Sequence, residues 1–334
     1  MTPPTRPSDS ESAAVLERYK QVAVVGAGLI GSSWVALFLA HGLQVKVHDP
    51  RPDVKDLVHK TLEQAMPTLQ GLGLNTANLA RHLSFHAELG SALEGVALVQ
   101  ESGLETLAFK QELFARMDRQ SGPRTLLISS SSTFRPTDIA REMANPGRML
   151  IGHPFNPPYL IPLVELVPGE RTSPAAVTEA MAFYRALGKR PVALRREIAG
   201  FVINRLQAVL FAECIHLVKQ GVLTVDEVDE AITSSVGLRW AVAGPMQSFH
   251  VGGGSGGMRH FLDHIGPPLE RLWKGSGSVT LDEATVELVS EQSSQAFGDR
   301  YQELAGARDK KQLAILKTLR EMSARMEKSA AQQS

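Results

Sequence analysis

Residues 21–49 read QVAVVGAGLIGSSWVALFLAHGLQVKVHD. Gln21–Val25 is a short apolar strand that runs into Gly26-Ala27-Gly28-Leu29-Ile30-Gly31. A helical pattern then extends from Ser32 to His41, with Gly42 as its C-terminal stop, and Val45–Asp49 is a second strand ending in an acid. This is β–GxGxxG–α–β with an aspartate at the end of the second strand. Gly26 permits the tight turn, Gly28 lets the backbone approach a pyrophosphate, and Gly31 lets the helix pack close to the strand. The helix N-terminus offers free N–H groups and the positive end of its dipole to that pyrophosphate. Asp49 accepts hydrogen bonds from both ribose hydroxyls and repels a 2′-phosphate, which favours NAD over NADP. A glycine turn alone carries little weight; with both strands, the helix and the acid in place, the expectation is a Rossmann-type α/β, doubly wound domain. It holds NAD through Gly26, Gly28, Leu29, Ile30, Gly31, Asp49 and Arg51.

Further along, residues 52–88 read as helix and loop broken by Gly71 and Gly73. Val96–Gln100 reads as a strand followed by Glu101, and Leu107–Met117 as an amphipathic helix. Thr125–Ser129 is a strand entering the run Ser129-Ser130-Ser131-Ser132-Thr133, Pro136–Met143 a helix, Met149–Ile151 a strand, and Val192–Leu194 the last strand. Strands alternating with helices imply a mainly parallel sheet, whose ligands sit beyond the carboxyl ends of the strands. The glycine loop, Asp49, Glu101, the serine run and His153 all fall at such ends.

The stretch MLIGHPFNPPYLIPLVELV, residues 149–167, carries the chemistry. Pro154, Pro157, Pro158 and Pro162 exclude a helix. His153 is therefore held on a stiff turn just past a strand end. Glu165 stands in an apolar run, where an acid is costly to bury without a partner. A paired His153 and Glu165, one accepting a proton and the other orienting the ring, accounts for both.

The chain has 334 residues, 43% apolar and 21% charged, with a formal net charge of zero. Its length suits about two domains of roughly 150 residues. Zero net charge gives no basic field for nucleic acid and nothing that favours an anionic membrane. The lone Cys214 rules out an intrachain disulfide and reads as a packed thiol in a helix. Residues 1–12 are polar and proline-rich, with no apolar signal-peptide core, and no apolar run approaches the roughly 18 residues of a membrane span. The expectation is a cytoplasmic protein with a disordered tail over residues 1–18, a NAD-binding domain over 19–196 and an all-helical domain over 197–334. In the latter, Gly200-Phe201-Val202-Ile203-Asn204-Arg205-Leu206 opens a long helix ending near Gly221, and Thr224 N-caps the next. Further helices are expected at Met258–His264 and from Arg308. His82/His86 and His260/His264 share helical i, i+4 spacing but lack a metal-site acid or cysteine, so no metal is assigned. Gly252–Gly257 lacks the Gly-Lys-Ser/Thr ending of a P-loop and reads as a mobile loop.

The glycine motif with Asp49, the serine-rich strand end, Gly152-His153-Pro154-Phe155-Asn156-Pro157, Leu163-Val164-Glu165 and Gly200–Arg205 occur in the same order in the L-3-hydroxyacyl-CoA dehydrogenase family, which this chain resembles over roughly residues 20–260. Tyr159–Pro168 and Gly237-Leu238-Arg239-Trp240 resemble its lambda-crystallin / L-gulonate 3-dehydrogenase branch, and the latter segment is also similar to L-carnitine dehydrogenases. The resemblance implies NAD-dependent oxidation of an L-3-hydroxy acid, with L-gulonate, L-3-hydroxybutyrate and L-carnitine as candidates. It implies His153 as general base, Glu165 as its partner, and Ser132 and Asn204 bonding the substrate oxygen or His153. Glu105 and Lys110 fall near the nicotinamide end, and the helical domain forms a homodimer. Two features separate this sequence from the acyl-CoA enzymes: the segment between Asp49 and Glu101 is shorter, and Arg239 replaces a neutral residue. Arg239 suits the carboxylate of a free 3-hydroxy acid, or a structural ion pair. The alternatives are an acyl-CoA dehydrogenase and a structural, crystallin-like NAD-binding protein.

Overall fold

The structure, a computed structural model, describes residues 8–277 and 279–333. It has two compact units: the first runs to Asn204 and includes Asp309–Ala314, and the second holds Arg205–Arg308 and the chain from Ile315. In chain order the first contains α1 (Asp9–Arg18), β1 (Gln21–Val25), α2 (Leu29–Ala40), β2 (Gln44–His48), α3 (Val54–Gly71), β3 (Leu83–Phe85), α4 (Leu89–Leu93), β4 (Leu98–Glu101), α5 (Leu107–Gln120), β5 (Leu126–Ser129), α6 (Pro136–Ile139), β6 (Met149–Pro154), β7 (Leu163–Pro168), α7 (Pro174–Ala186) and β8 (Arg190–Ala193).

The strands form one sheet in the order β3-β2-β1-β4-β5-β6-β7-β8. Every neighbouring pair from β3 to β6 is parallel, β7 runs antiparallel to β6, and β8 is parallel to β7. The order reverses at β1, which pairs with β2 on one side and β4 on the other. A crevice therefore opens at the carboxyl ends of β1 and β4. The reversal of β7 has a simple cause: residues 155–162 are too few for a parallel crossover, which takes a dozen or more.

Both faces of the sheet are covered, which explains the unbroken apolar run of β1. On one face Ala23, Val25, Val99, Leu127, Ile151 and Val167 pack with Leu113, Phe114 and Met117 of α5. On the other, Trp34 and Phe38 of α2 meet Phe183 and Tyr184 of α7, with ring centroids 5.6 Å apart for Trp34–Tyr184 and 5.7 Å for Phe38–Phe183. Gly152 is required here, because a Cβ would overlap the Tyr184 hydroxyl and stand 2.7 Å from Ile128 Cγ2. The residue before His153 is thus pressed against the aromatic layer.

The N-terminal expectation is corrected. Residues 9–18 form α1 rather than a disordered tail, while residues 1–7 lie outside the described residues. Ser8 and Glu11 make a reciprocal capping box. Arg18 pairs with Glu179 of α7 at 2.5 Å, and the Tyr19 hydroxyl donates to the same carboxylate at 3.0 Å. The domain divide also moves, from 196/197 to Asn204/Arg205, because Phe201 is fully buried in the core of the first unit. β3 and α7 were not read from the sequence; β3 is three residues long.

Among its described residues the second unit is all-helical: α8 (Ile203–Lys219, starting in the first unit), α9 (Val225–Thr233), α10 (Val236–Val242), α11 (Pro245–Gly252), α12 (Gly257–Gly275), α13 (Glu283–Phe297) and α14 (Tyr301–Gln333), of which Asp309–Ala314 count with the first unit. Thr224 caps α9 through a box with Glu227. Gly252–Gly257 is a tight turn between α11 and α12, not a mobile loop. A Cβ on Gly253 would overlap the Gly257 carbonyl, and Phe249 stacks on Phe261 across the turn at 4.8 Å. His82 and His86 flank β3, so their helical spacing does not apply. No helix among the described residues is long and apolar enough to cross a membrane.

Candidate active site

The β6–β7 register places His153 directly opposite Glu165. His153 Nδ1 and Glu165 Oε2 are 2.9 Å apart, and both side chains are buried. Glu165 Oε1 accepts the backbone N–H groups of Val202 and Ile203 at 3.0 and 3.1 Å. These amides open α8, and a bend at Gly200 and Phe201 aims them, with φ of +72° and +50°. A left-handed backbone at a phenylalanine is strained by roughly 1–2 kcal/mol. Its ring is held in place by burial and lies 5.4 Å from the His153 ring. Burial alone would push the Glu165 carboxyl up; the hydrogen bond from His153 and the amides of Ile203 and Val202 outweigh it and hold the group below the ordinary 4.5. An ionised Glu165 fixes the proton of a neutral His153 on Nδ1. Nε2 makes no hydrogen bond among the described residues and is left as the acceptor.

Ser132 and Asn204 come together, since Asn204 Nδ2 donates to the Ser132 carbonyl at 3.3 Å. Neither side chain is hydrogen-bonded to His153. The loop that carries Ser132 is held by Glu105, whose Oε1 accepts from Ser131 Oγ at 2.5 Å and from the amides of Ser132 and Thr133 at 3.1 Å each. Burial would raise the Glu105 carboxyl, but these bonds and Lys110 keep it low. Lys110 is only 1% exposed and reaches both oxygens of fully buried Glu101, at 2.9 and 3.1 Å, and Glu105 at 3.1 Å. Its ammonium therefore braces the loop through both acids. Sequence reasoning missed this Glu101–Lys110–Glu105 brace and the two α8 amides. The buried charges had a signal in Glu101 at a strand end, while the amides had none.

The cofactor residues fit a dinucleotide. Gly26 has φ +85°, and a Cβ there would lie 2.6 Å from the Gly103 nitrogen. A Cβ on Gly31 would overlap the Gly26 carbonyl oxygen, whereas one on Gly28 would meet nothing within 4 Å. The space at Gly28 is the cradle a pyrophosphate needs. No side chain caps α2, which leaves the N-terminal amides at Leu29 and Ile30 for that anion. Asp49 Oδ2 accepts the Ala27 amide at 2.8 Å, fixing the carboxylate beside the glycine loop. Arg51 covers it from solvent with side-chain bonds at 2.9 and 2.8 Å. Burial raises Asp49, but Arg51 and the amides bring it below the usual aspartate range, so it is an anion. Arg239 lies exposed on α10 in the second unit, and its guanidinium makes no ion pair or hydrogen bond among the described residues. No group of three or more His, Cys, Asp or Glu side chains among the described residues is placed to hold a metal ion.

Comparison with known proteins gives the family. Residues 21–198 match the NAD-binding domain of 3-hydroxyacyl-CoA dehydrogenase, and residues 200–275 match its C-terminal domain. L-carnitine dehydrogenase of Streptomyces coelicolor is 42% identical over 302 residues, covering 90% of this chain and 95% of that protein. L-carnitine dehydrogenase of Pseudomonas aeruginosa is 40% identical over 307 residues, covering 92% and 96%. These relatives belong to the second of the two groups that the Gly237–Trp240 segment resembles. Among solved structures, the NAD+-dependent dismutase 5-formyl-3-hydroxy-2-methylpyridine 4-carboxylic acid 5-dehydrogenase matches with a TM-score of 0.73 at 26% identity, covering 90% of this chain and 98% of that one. The 3-hydroxybutyryl-CoA dehydrogenase of Escherichia coli matches with a TM-score of 0.59 at 27% identity, covering 64% and 46%.

The Glu165 carboxyl, held below its ordinary value in the folded protein, contributes stability that is complete above the unfolded value of 4.5 and fades as pH falls through the lower folded value. Glu165→Gln is uncharged throughout. Chemical denaturation at pH 7 is expected to show the variant less stable by about 1–3 kcal/mol. The gap narrows below pH 4.5 as the wild-type carboxyl takes up its proton. A gap that does not change with pH would contradict the assignment.

Proposed function

The chain belongs to the 3-hydroxyacyl-CoA dehydrogenase family and is an NAD-dependent dehydrogenase acting on a CH–OH group; from that premise we propose that its substrate is a free L-3-hydroxy acid, with L-carnitine first among the candidates, and that His153 is the general base. The observation that carries the reading is the His153–Glu165 pair with Nε2 left open. Oxidation removes a proton from the substrate hydroxyl and a hydride from the same carbon. When bound, NAD supplies the acceptor for the hydride. His153 Nε2 takes the hydroxyl proton, and ionised Glu165 stabilises the imidazolium that results. Asn204 and Ser132, joined through the Ser132 carbonyl, border the substrate oxygen. Glu105 keeps that loop in place, and Lys110 acts through Glu105.

The carnitine reading rests on the relatives at about 40% identity and on Arg239, an uncommitted guanidinium suited to a free carboxylate. L-Gulonate and L-3-hydroxybutyrate are the next candidates, and a CoA thioester is the opposing case. We also assign the chain a homodimeric state. Leu206, Val209 and Phe211 of α8 are 59%, 73% and 59% exposed, and a second copy is the partner that would cover them. Sedimentation is expected to give twice the chain mass, and Val209→Glu to give the monomer; a monomeric wild type would end this assignment.

NADH formation at alkaline pH is expected with a free acid and not with L-3-hydroxybutyryl-CoA. His153→Ala should lower kcat by roughly 10²- to 10⁴-fold. Glu165→Gln should fall within the same range, because a glutamine that keeps the α8 amides turns its NH2 toward Nδ1 and moves the ring proton to Nε2. Arg239→Met should raise KM for the free acid while NADH affinity holds. Turnover of the thioester alone would overturn the substrate assignment, and an active His153→Ala would overturn the base.

A further inference from the structure

A line of hydrogen bonds crosses the sheet from the aromatic layer to the glycine loop. The Tyr184 hydroxyl is 2.5 Å from Gln100 Oε1, and Gln100 Nε2 is 2.9 Å from Ser130 Oγ. Trp34 Nε1 reaches the same Ser130 oxygen at 3.2 Å, and the Ser130 and Ser102 hydroxyl oxygens are 2.8 Å apart.

The direction of each bond follows from the protons available. An indole N–H only donates. Tyr184 is fully buried, burial raises its pKa so that it stays a phenol, and Gln100 is its hydrogen-bond partner among the described residues. A buried O–H without an acceptor is costlier than a spare lone pair, so Tyr184 donates and Gln100 presents its carbonyl. The Gln100 amide then donates to Ser130. Ser130 Oγ has two lone pairs, and Trp34 and Gln100 occupy both. Its single proton therefore goes to Ser102. Ser102 accepts, which leaves its own proton without an acceptor among the described residues.

That proton lies in the crevice. Ser102 follows β4, and its side chain is half-buried. A Cβ on Gly26 would lie 2.7 Å from the Ser102 carbonyl oxygen, and one on Gly31 would lie 3.4 Å from Ser102 Cβ. Asp49, the adenosine-ribose acid, follows β2 on the other side of β1. Ser102 therefore stands across the switch point from the adenosine end. We infer that Ser102 Oγ donates to an oxygen on the nicotinamide half of the bound dinucleotide, its proton directed there by the Tyr184–Gln100–Ser130 line. Tyr184, on α7 beneath the sheet, is thereby a positioning residue for the cofactor.

The test is equilibrium binding of NADH, followed by its fluorescence, and of 5′-AMP, followed by calorimetry, on the full chain without substrate. Ser102→Ala is expected to weaken NADH by about tenfold and to leave 5′-AMP unchanged. Tyr184→Phe frees the Gln100 amide to turn; Ser130 then donates to its carbonyl and Ser102 turns inward to Ser130. That variant is expected to weaken NADH by about three- to tenfold with 5′-AMP again unchanged. Ser102→Ala decides the proposal by itself: NADH affinity equal to wild type, or an equal fall for 5′-AMP, overturns it. Folded Tyr184→Phe with wild-type NADH affinity overturns the direction assigned to the line.

Discussion

The Glu165 carboxylate is divided between two demands: one oxygen takes the His153 ring at 2.9 Å, and the other takes the amides of Val202 and Ile203 at 3.0 and 3.1 Å. A carboxylate removed from water costs several kcal/mol unless its oxygens are occupied. The three donors offset that cost, and two features of the chain deliver them. The ring comes from β6, directly opposite Glu165 in an antiparallel register. The amides come from the left-handed turn at Gly200 and Phe201, whose aromatic side chain is buried beside the imidazole. That turn also starts α8 and places Asn204 against the Ser132 carbonyl. The buried charge thus connects the last antiparallel strands, the entry to the helical region and the serine loop.

The same rule governs the other side of the crevice. Glu101 and Lys110 are both buried and meet at 2.9 Å, and burying either without the other would be costly. Lys110 links Glu101 to Glu105, and Glu105 gathers the Ser131 hydroxyl and the amides of Ser132 and Thr133. Ser129 adds a 2.5 Å bond to Glu101. Two carboxylates and one ammonium thus replace the solvent that a strand-end loop would otherwise need, and Ser132 is carried on a braced backbone. Breaking one member of such a set leaves a buried charge unpaired, a loss of roughly 3–5 kcal/mol.

The glycine loop, the parallel sheet and the His153–Glu165 pairing were legible because each depends on local chemistry. A glycine with φ +85° beside the next strand's loop admits few other residues, and an acid in an apolar run demands a partner. What escaped was set by distant contacts. The capping box of Ser8 and Glu11 was written in the sequence, but proline-rich neighbours hid it, and its docking on Glu179 is a contact 160 residues away. Glycines at 252–257 resembled a free loop, yet at Gly253, Gly256 and Gly257 the turn between two helices is too close for a Cβ. The brace from Lys110 to two acids escaped because sequence does not show which way a side chain turns. The line from Tyr184 to Ser102 had no signal at all, since it joins residues from α2, α7 and the ends of β4 and β5.

The proposed role of His153 depends on which ring nitrogen carries the proton, and that is directly measurable. Histidine-labelled protein, in a long-range proton–nitrogen correlation spectrum at alkaline pH, reports the tautomer of each neutral ring, with His153→Asn identifying the signal. Ionised Glu165 at 2.9 Å from Nδ1 predicts a protonated Nδ1 and an unprotonated, pyridine-like Nε2 for His153. A protonated Nε2 would contradict the account, because the nitrogen proposed to receive the substrate proton would already hold one.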